Sequence, residues 1–362
     1  MDSQKTLLIG VMDWGLGHAT RSSELIQVLT ALGHHLIIAS SGRSKLWLSD
    51  RFPELEVIEK PSYQIHYPET GNISLSIIFQ QKQLSKTIQD EQTWTKQQIL
   101  DQDIHGIISD CCFGMWSEQI PSVLLTHQLN LHVHPLLKSI AQRMFEKHLA
   151  KFQTIWVPDS REHVASGMLS RWHKPVSYIG HISQFSCDKE AIENDILVLL
   201  SGPEPRRTHM QKVWIEALNQ FDQKVVFYSG NEHQGSETHE NISFKSWNDP
   251  NLNGLVLGAG YVICNAGYST LMDLIKLQKT GLLIPTKGQS EQEYLANYWH
   301  EMHGYNIARE IPALHLIGLN PKGLSYGPWK ESETIGSINT IAKAPKYHPL
   351  DHKIIQSWLA SL

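Results

Sequence analysis

The stretch that most constrains the fold of this chain covers residues 261–296, YVICNAGYSTLMDLIKLQKTGLLIPTKGQSEQEYLA. It reads as strand, turn, helix, strand, loop, helix. Tyr261 to Cys264 is a short apolar run, and Asn265-Ala266-Gly267 carries turn chemistry. Ser269 and Thr270 stand where a helix begins, and Leu271, Leu274, Ile275 and Leu277 give that helix one apolar face. Leu282 to Ile284 is a second buried strand, closed by Pro285. The polar loop Lys287-Gly288-Gln289-Ser290 then opens a further helix, with Glu291 and Gln292 in its first turn. Strands joined through a helix pair in parallel, so both strand-to-helix turns fall on the carboxyl edge of one sheet. Open α/β sheets bind ligands at that edge, and free helix N-termini there favour anions such as a diphosphate. Asp273, one turn further into the helix, can accept hydrogen bonds from a sugar diol.

The same plan opens the chain. Thr6 to Met12 is an apolar strand, Asp13-Trp14-Gly15-Leu16-Gly17-His18 the loop after it, and Ala19 to Leu32 a helix. Leu25, Ile26, Leu29 and Leu32 are expected to face inward, and His35 to Ala39 completes a βαβ unit. Gly15 and Gly17 let the backbone turn tightly and approach a ligand closely. A lone G-x-G says little, whereas G-x-G-H-x-x-R, ending in Arg21, sets His18 at the mouth of the loop. Further strands end in polar residues: Ile104 to Ser109 in Asp110, and Ser122 to Thr126 in His127 and Gln128. These are candidates for acceptor contact or catalytic support, and Asp110 could equally cap a helix or turn.

The second half restarts with the strand Asp195 to Leu200. Ser201-Gly202-Pro203-Glu204-Pro205-Arg206-Arg207-Thr208 follows, then a helix from Thr208 to Phe221. Strand, turn and helix start with Ser201, Gly202 and Arg207 form a second anion-binding arrangement. Arg207 either neutralises phosphate or is an ordinary solvated arginine.

With 362 residues the chain has room for two domains. The junction is expected near the charged segment after Cys187, giving domains 1–187 and 188–345, with a terminal helix 346–362 packing back on the first. The net charge of −5 gives no basic field for nucleic acid, and four cysteines are too few for a disulfide framework. A core strand almost at the start leaves no room for a signal peptide, and no apolar run approaches the ~20 residues of a membrane span. A reduced, cytoplasmic setting is expected. The 20 histidines are scattered without ligand spacing, so no metal is expected. Residues 61–102 read as a loop followed by a long helix. His134 to Phe152 reads as an amphipathic helix carrying Leu136, Leu137, Ile140, Met144, Phe145 and Leu149 beside Lys138, Arg143, Lys147 and Lys151. It either packs on the core or touches an anionic membrane surface. Another helix is expected from Glu333 to Lys343.

These motifs resemble the glycosyltransferase family 28 enzymes, whose best-known member is the MurG-type transferase. The matching residues are Gly267, Asp273, and Pro285 followed by Gln289, Glu291 and Gln292, with Gly15 to Arg21 in the first half. Asp273 stands where the MurG branch usually has Glu, and Gln292-Glu293 where that branch favours paired glutamines. The resemblance implies a GT-B fold, two Rossmann-like doubly wound domains facing a cleft. It also implies an inverting, metal-independent transfer from a nucleotide-sugar, a UDP-sugar such as UDP-N-acetylglucosamine, with no cofactor. The acceptor would be a sugar, a lipid-linked molecule of a cell-envelope glycan or a small molecule, and the membrane-facing reading of the 134–152 helix would add peripheral membrane contact. His18 would be the general base, as a near-neutral imidazole suits proton removal from a hydroxyl; the plainer reading is a capping residue. Ser201, Gly202, Asn265, Gly267, Ser269 and Thr270 would surround the donor diphosphate. Trp247 falls where the family's backbone holds the uracil edge, and could also be core. A 2-epimerase-like isomerase acting on UDP-N-acetylglucosamine and a catalytically inactive nucleotide-binding scaffold stay open as alternatives.

Overall fold

The computed structural model describes residues 4–64, 80–133, 135–202, 204–229, 240–246, 249–308 and 343–362, without the side chains of 135–137. The expected helix at 333–343 therefore lies outside the described residues save Lys343, as does Trp247. The chain divides into two compact units, Met1–Gln184 with Lys346–Leu362, and Phe185–Pro345.

The first unit is built on β1 (Thr6–Val11), β2 (His35–Ser40), β3 (Glu56–Glu59), β4 (Gly106–Asp110), β5 (Ser122–Leu125), β6 (Thr154–Val157) and β7 (Ser177–Tyr178). They form one parallel sheet in the order β3-β2-β1-β4-β5-β6-β7. Its helices are α1 (Leu16–Ala31), α2 (Gly42–Arg51), α3 (Gln81–Asp101) and α4 (Pro135–Leu149). Both sheet faces are covered, which is why β1 reads as an unbroken apolar run. Leu7, Ile9 and Val11 pack with Leu25, Ile26 and Leu29 of α1, while Leu8 faces a separate cluster with Ile37, Ile107 and Met115.

In the second unit β8 (Asn194–Leu200), β9 (Val225–Ser229), β10 (Ile242–Lys245), β11 (Ala259–Asn265), β12 (Gly281–Ile284) and β13 (Asn306–Ile307) pair in parallel as β10-β9-β8-β11-β12-β13. The helices are α5 (Arg206–Leu218), α6 (Leu252–Gly258), α7 (Tyr268–Lys276) and α8 (Ser290–His303). In each sheet the winding reverses once, between β1 and β4 and between β8 and β11. Those switch points are where doubly wound sheets open a crevice outside their carboxyl ends.

The chain returns to the first unit through α9 (His352–Leu359), capped by Asp351, whose carboxylate accepts from the amides of Lys353 and Ile354 at 3.0 and 3.3 Å. Ile355, Trp358 and Leu359 enter the same core as Ile9 and Leu25, and the Trp358 ring meets Trp156 edge-on at 5.4 Å.

Two sequence expectations are corrected, and a third reading gains detail. Helix α1 begins at Leu16, so Gly17 and His18 lie in its first turn; Gly15, with φ at +78°, makes the bend that starts it. Leu32 closes that helix at 38% exposure and is not core, because it has already left the inward stripe of Leu25 and Leu29. On α4, Phe145 and Leu149 pack inward, but Ile140 and Met144 are 64% and 48% exposed, so the apolar stripe is uncovered at two of its described side chains.

Candidate active site

In the first unit the register aligns Val11 of β1 with Asp110 of β4, which brings Asp110 beside the loop entering α1. The Asp110 carboxylate, 1% exposed, is the hub of a polar cluster. Arg21 donates to it at two points, through Nε to Oδ2 at 2.9 Å and through Nη2 to Oδ1. Ser22 Oγ donates to Oδ2 at 2.7 Å, and His18 Nδ1 lies 2.9 Å from Oδ1. Arg21 also places Nη1 3.1 Å from His127 Nδ1 and Nη2 3.5 Å from the Cys111 thiol. A histidine that donates from Nδ1 to a carboxylate keeps the lone pair on Nε2 for proton uptake.

Charge states follow from this geometry. Burial alone would raise the Asp110 carboxyl, but the Arg21 charge and then His18 outweigh it and hold it well below the usual carboxylate range. Burial and then Arg21 lower the His18 pKa from 6.5 against the pull of Asp110, so the resting imidazole is neutral at pH 7. Burial pushes the Cys111 thiol up to about 11. The structure thus brings His18 together with the acceptor-side candidates Asp110 and His127, whereas Gln128 is only half-buried, its amide N–H donating to Thr126 Oγ1 at 3.3 Å. Arg21 and Ser22 were missed as site residues. The available signal was their spacing from His18, three and four positions along one helix, which stacks them on one face.

A second buried network braces the same loop. Lys60 Nζ lies 3.0 Å from Glu91 Oε1 and 4.0 Å from Asp13 Oδ1, and the Lys60 and Glu91 side chains have no exposed surface. Glu91 Oε2 accepts from Tyr63 Oη at 2.8 Å and from the Gly114 amide at 2.7 Å. Ser62 Oγ donates to Asp13.

In the second unit the expected donor residues gather at the carboxyl edge of β8, β11 and β12, with roles the sequence did not assign. Asn265 is spent inside the protein: its Oδ1 accepts from the Ser201 amide at 2.7 Å and its Nδ2 donates to the Ile284 carbonyl at 3.1 Å, tying three strand ends together. Gln292 accepts from the Thr286 amide at 2.9 Å through Oε1 and has its Nε2 toward Gly267. Arg207 is neither solvated nor free for phosphate. It is 6% exposed and bound to Glu204 Oε1 through Nε and Nη2 at 3.0 and 2.5 Å. Glu204 also accepts from the Thr208 amide and hydroxyl, and its place three and four residues before these partners was the overlooked signal.

Gly202 needs its glycine, with φ at +103°, whereas Gly267, at φ −77°, does not; there glycine only leaves the edge without a side chain. Ser201 and Gly202 are exposed, and Ser269 and Thr270 are half-buried in the first turn of α7. Asp273 is 7% exposed, close enough to add to the burial that raises the Cys264 thiol to about 12. Gln289 precedes α8 and Glu291 lies in its first turn.

Among the described residues, one group has donor atoms close enough for a cation: His18, Asp110 and Cys111, within 4.8 Å of one another. The Arg21 guanidinium already meets all three. A fixed positive charge there satisfies the carboxylate and repels a metal ion.

A family model described as "Glycosyl transferase family 1" matches residues 5–116. No curated protein sequence matches the chain. The glycotransferase of kitacinnamycin aligns with TM-score 0.62 and 13% identity, over 84% of this chain and 86% of that one. The spinosyn rhamnosyltransferase SpnG complexed with thymidine diphosphate aligns with TM-score 0.57 and 14% identity, over 82% and 84%. MurG of Acinetobacter baumannii aligns with TM-score 0.53 and 9% identity, over 85% and 86%. The chain therefore has the GT-B fold of these glycosyltransferases, two parallel, doubly wound α/β units.

Proposed function

We propose that this chain is an inverting glycosyltransferase that moves a sugar from a nucleotide-sugar, a UDP-sugar, to an acceptor hydroxyl with His18 as general base. The observation that carries the reading is the His18–Asp110 pair at the switch point of the first sheet, Nδ1 to Oδ1 at 2.9 Å. As the acceptor oxygen bonds to the anomeric carbon, its proton passes to His18 Nε2. The bond from that carbon to the diphosphate oxygen breaks, and its electron pair leaves with the nucleoside diphosphate. Asp110 orients the ring throughout. In the second unit the first turn of α7 and the exposed Ser201-Gly202 loop receive the diphosphate, where helix N-termini favour negative charge. This distribution needs neither metal nor cofactor. The family-28 likeness favours UDP through Asp273, Gln289 and Glu291. SpnG, crystallised with thymidine diphosphate, makes dTDP the nucleotide to test beside it.

The acceptor is read from α4, where exposed Ile140 and Met144 lie among exposed Lys138, Arg143 and Lys147. An apolar strip rimmed by cations supports a lipid-linked acceptor at an anionic membrane surface. No helix among the described residues is long and apolar enough to cross a membrane.

The test is His18→Ala with a panel of nucleotides. The variant is expected to keep its thermal shift with UDP, about 2.7 kcal/mol at a hundredfold excess over Kd. Its transfer rate should fall by about 10²–10⁴-fold. An unchanged rate sinks His18 as the base, and a shift with dTDP but not UDP overturns the donor.

A further inference from the structure

We propose that Arg21 is a positioning residue for His18: it claims Asp110 through a two-point ion pair, so that the carboxylate no longer holds a proton on the imidazole against burial and the guanidinium. The proposal rests on the reading of His18 as base and goes beyond it. In a simple histidine–carboxylate pair the carboxylate is free to stabilise the imidazolium. Here the carboxylate is already neutralised, with Arg21 Nε and Nη2 on its two oxygens and Ser22 Oγ on Oδ2. Arg21 Nη2 also stands 2.9 Å from His18 Nδ1, the edge of the ring that faces Asp110.

The groups facing His18 are Arg21 from its own helix, Asp110 and Cys111 from the end of β4, and His127 from the end of β5. Cys111 is a neutral thiol, so Arg21 and Asp110 cancel as a pair and a protonated His18 would add an uncompensated charge to a buried site. Two consequences follow. His18 stays unprotonated at pH values where a free imidazole has begun to take up a proton, and the guanidinium opposes retention of a proton taken from the acceptor. The arrangement widens the pH range in which the base is ready, at the cost of base strength.

The experiment is a histidine ring titration by NMR on the full chain, with the His18 signal assigned by its loss in His18→Gln. In the wild-type protein His18 is expected to titrate below 6.5, the unperturbed value. In Arg21→Met, which frees Asp110 for His18, the midpoint should rise by about 1–3 units, the usual effect of an opposite charge at hydrogen-bond distance. The acid limb of the kcat/KM profile for transfer should move with it. Arg21→Lys keeps the charge and is expected to keep the low midpoint. A wild-type midpoint above 6.5, or the same midpoint in Arg21→Met, overturns the proposal. Should Arg21→Met fail to fold, the wild-type titration and Arg21→Lys decide, and a high midpoint in either refutes it. The NMR reading needs no substrate, so it stands or falls apart from the activity. If His18 shifts as stated and no sugar nucleotide supports transfer, the function is wrong and the role of Arg21 survives. If transfer needs His18 but its acid limb ignores Arg21, the reverse holds.

Discussion

Replacing Lys60 with Met probes the buried network behind the β1–α1 loop. The Lys60 ammonium has no exposed surface and lies 3.0 Å from Glu91 Oε1. At an effective dielectric of about 20 that separation corresponds to roughly 5 kcal/mol of attraction, which in the native protein offsets the desolvation of both ions. Lys60→Met removes the attraction but leaves Glu91 buried, with only Tyr63 and the Gly114 amide as donors. The expected loss is about 3–5 kcal/mol, as for other broken buried pairs. For a unit of about 200 residues that lowers the melting midpoint by roughly 10 °C.

Urea unfolding gives the midpoint, and hydrogen exchange of peptides around Gly114 assigns the change to the first unit. Lys60→Met/Glu91→Gln, which keeps an acceptor for Tyr63 and Gly114, should recover most of the loss. A single variant within about 1 kcal/mol of wild type would refute the claim that Lys60 and Glu91 form a charged buried pair.

Asn265→Ala strands the Ser201 amide and the Ile284 carbonyl, which should cost about 1–3 kcal/mol for the buried carbonyl left unpaired and weaken nucleotide binding in the same variant. Normal melting with normal UDP titration would show that the tie between strand ends is dispensable. Trp358→Ala empties the space against Trp156 and should cost about 3–5 kcal/mol, read by urea unfolding. A loss under about 1 kcal/mol would mean that α9 contributes little to the first unit.

The first half shows how much chemistry one line of residues can reveal. The alternation of apolar runs and amphipathic helices was legible because strands covered on both faces must be apolar throughout. Gly15 and Gly202 were legible because the backbone needs positive φ there. Polar residues at strand ends flagged Asp110 and His127 because a doubly wound sheet binds at its carboxyl edge. Periodicity names a helix face but not its neighbour, so it could not tell that Leu29 would be buried while Leu32, Ile140 and Met144 would not.

Tertiary structure alone decided which polar groups meet and in what charge state. His18 and Asp110 are 92 positions apart and are joined only because β1 and β4 are sheet neighbours. Arg21, read from sequence as the end of a motif, becomes the counter-charge of Asp110. Arg207, a candidate for phosphate, is taken by Glu204, and Asn265, a candidate for the donor, is consumed in tying strands. The physical reason is common to all of these. Secondary structure follows from local periodicity, whereas ionisation and hydrogen-bond partners depend on distances through space and on the exclusion of water, which exist only once the chain has folded.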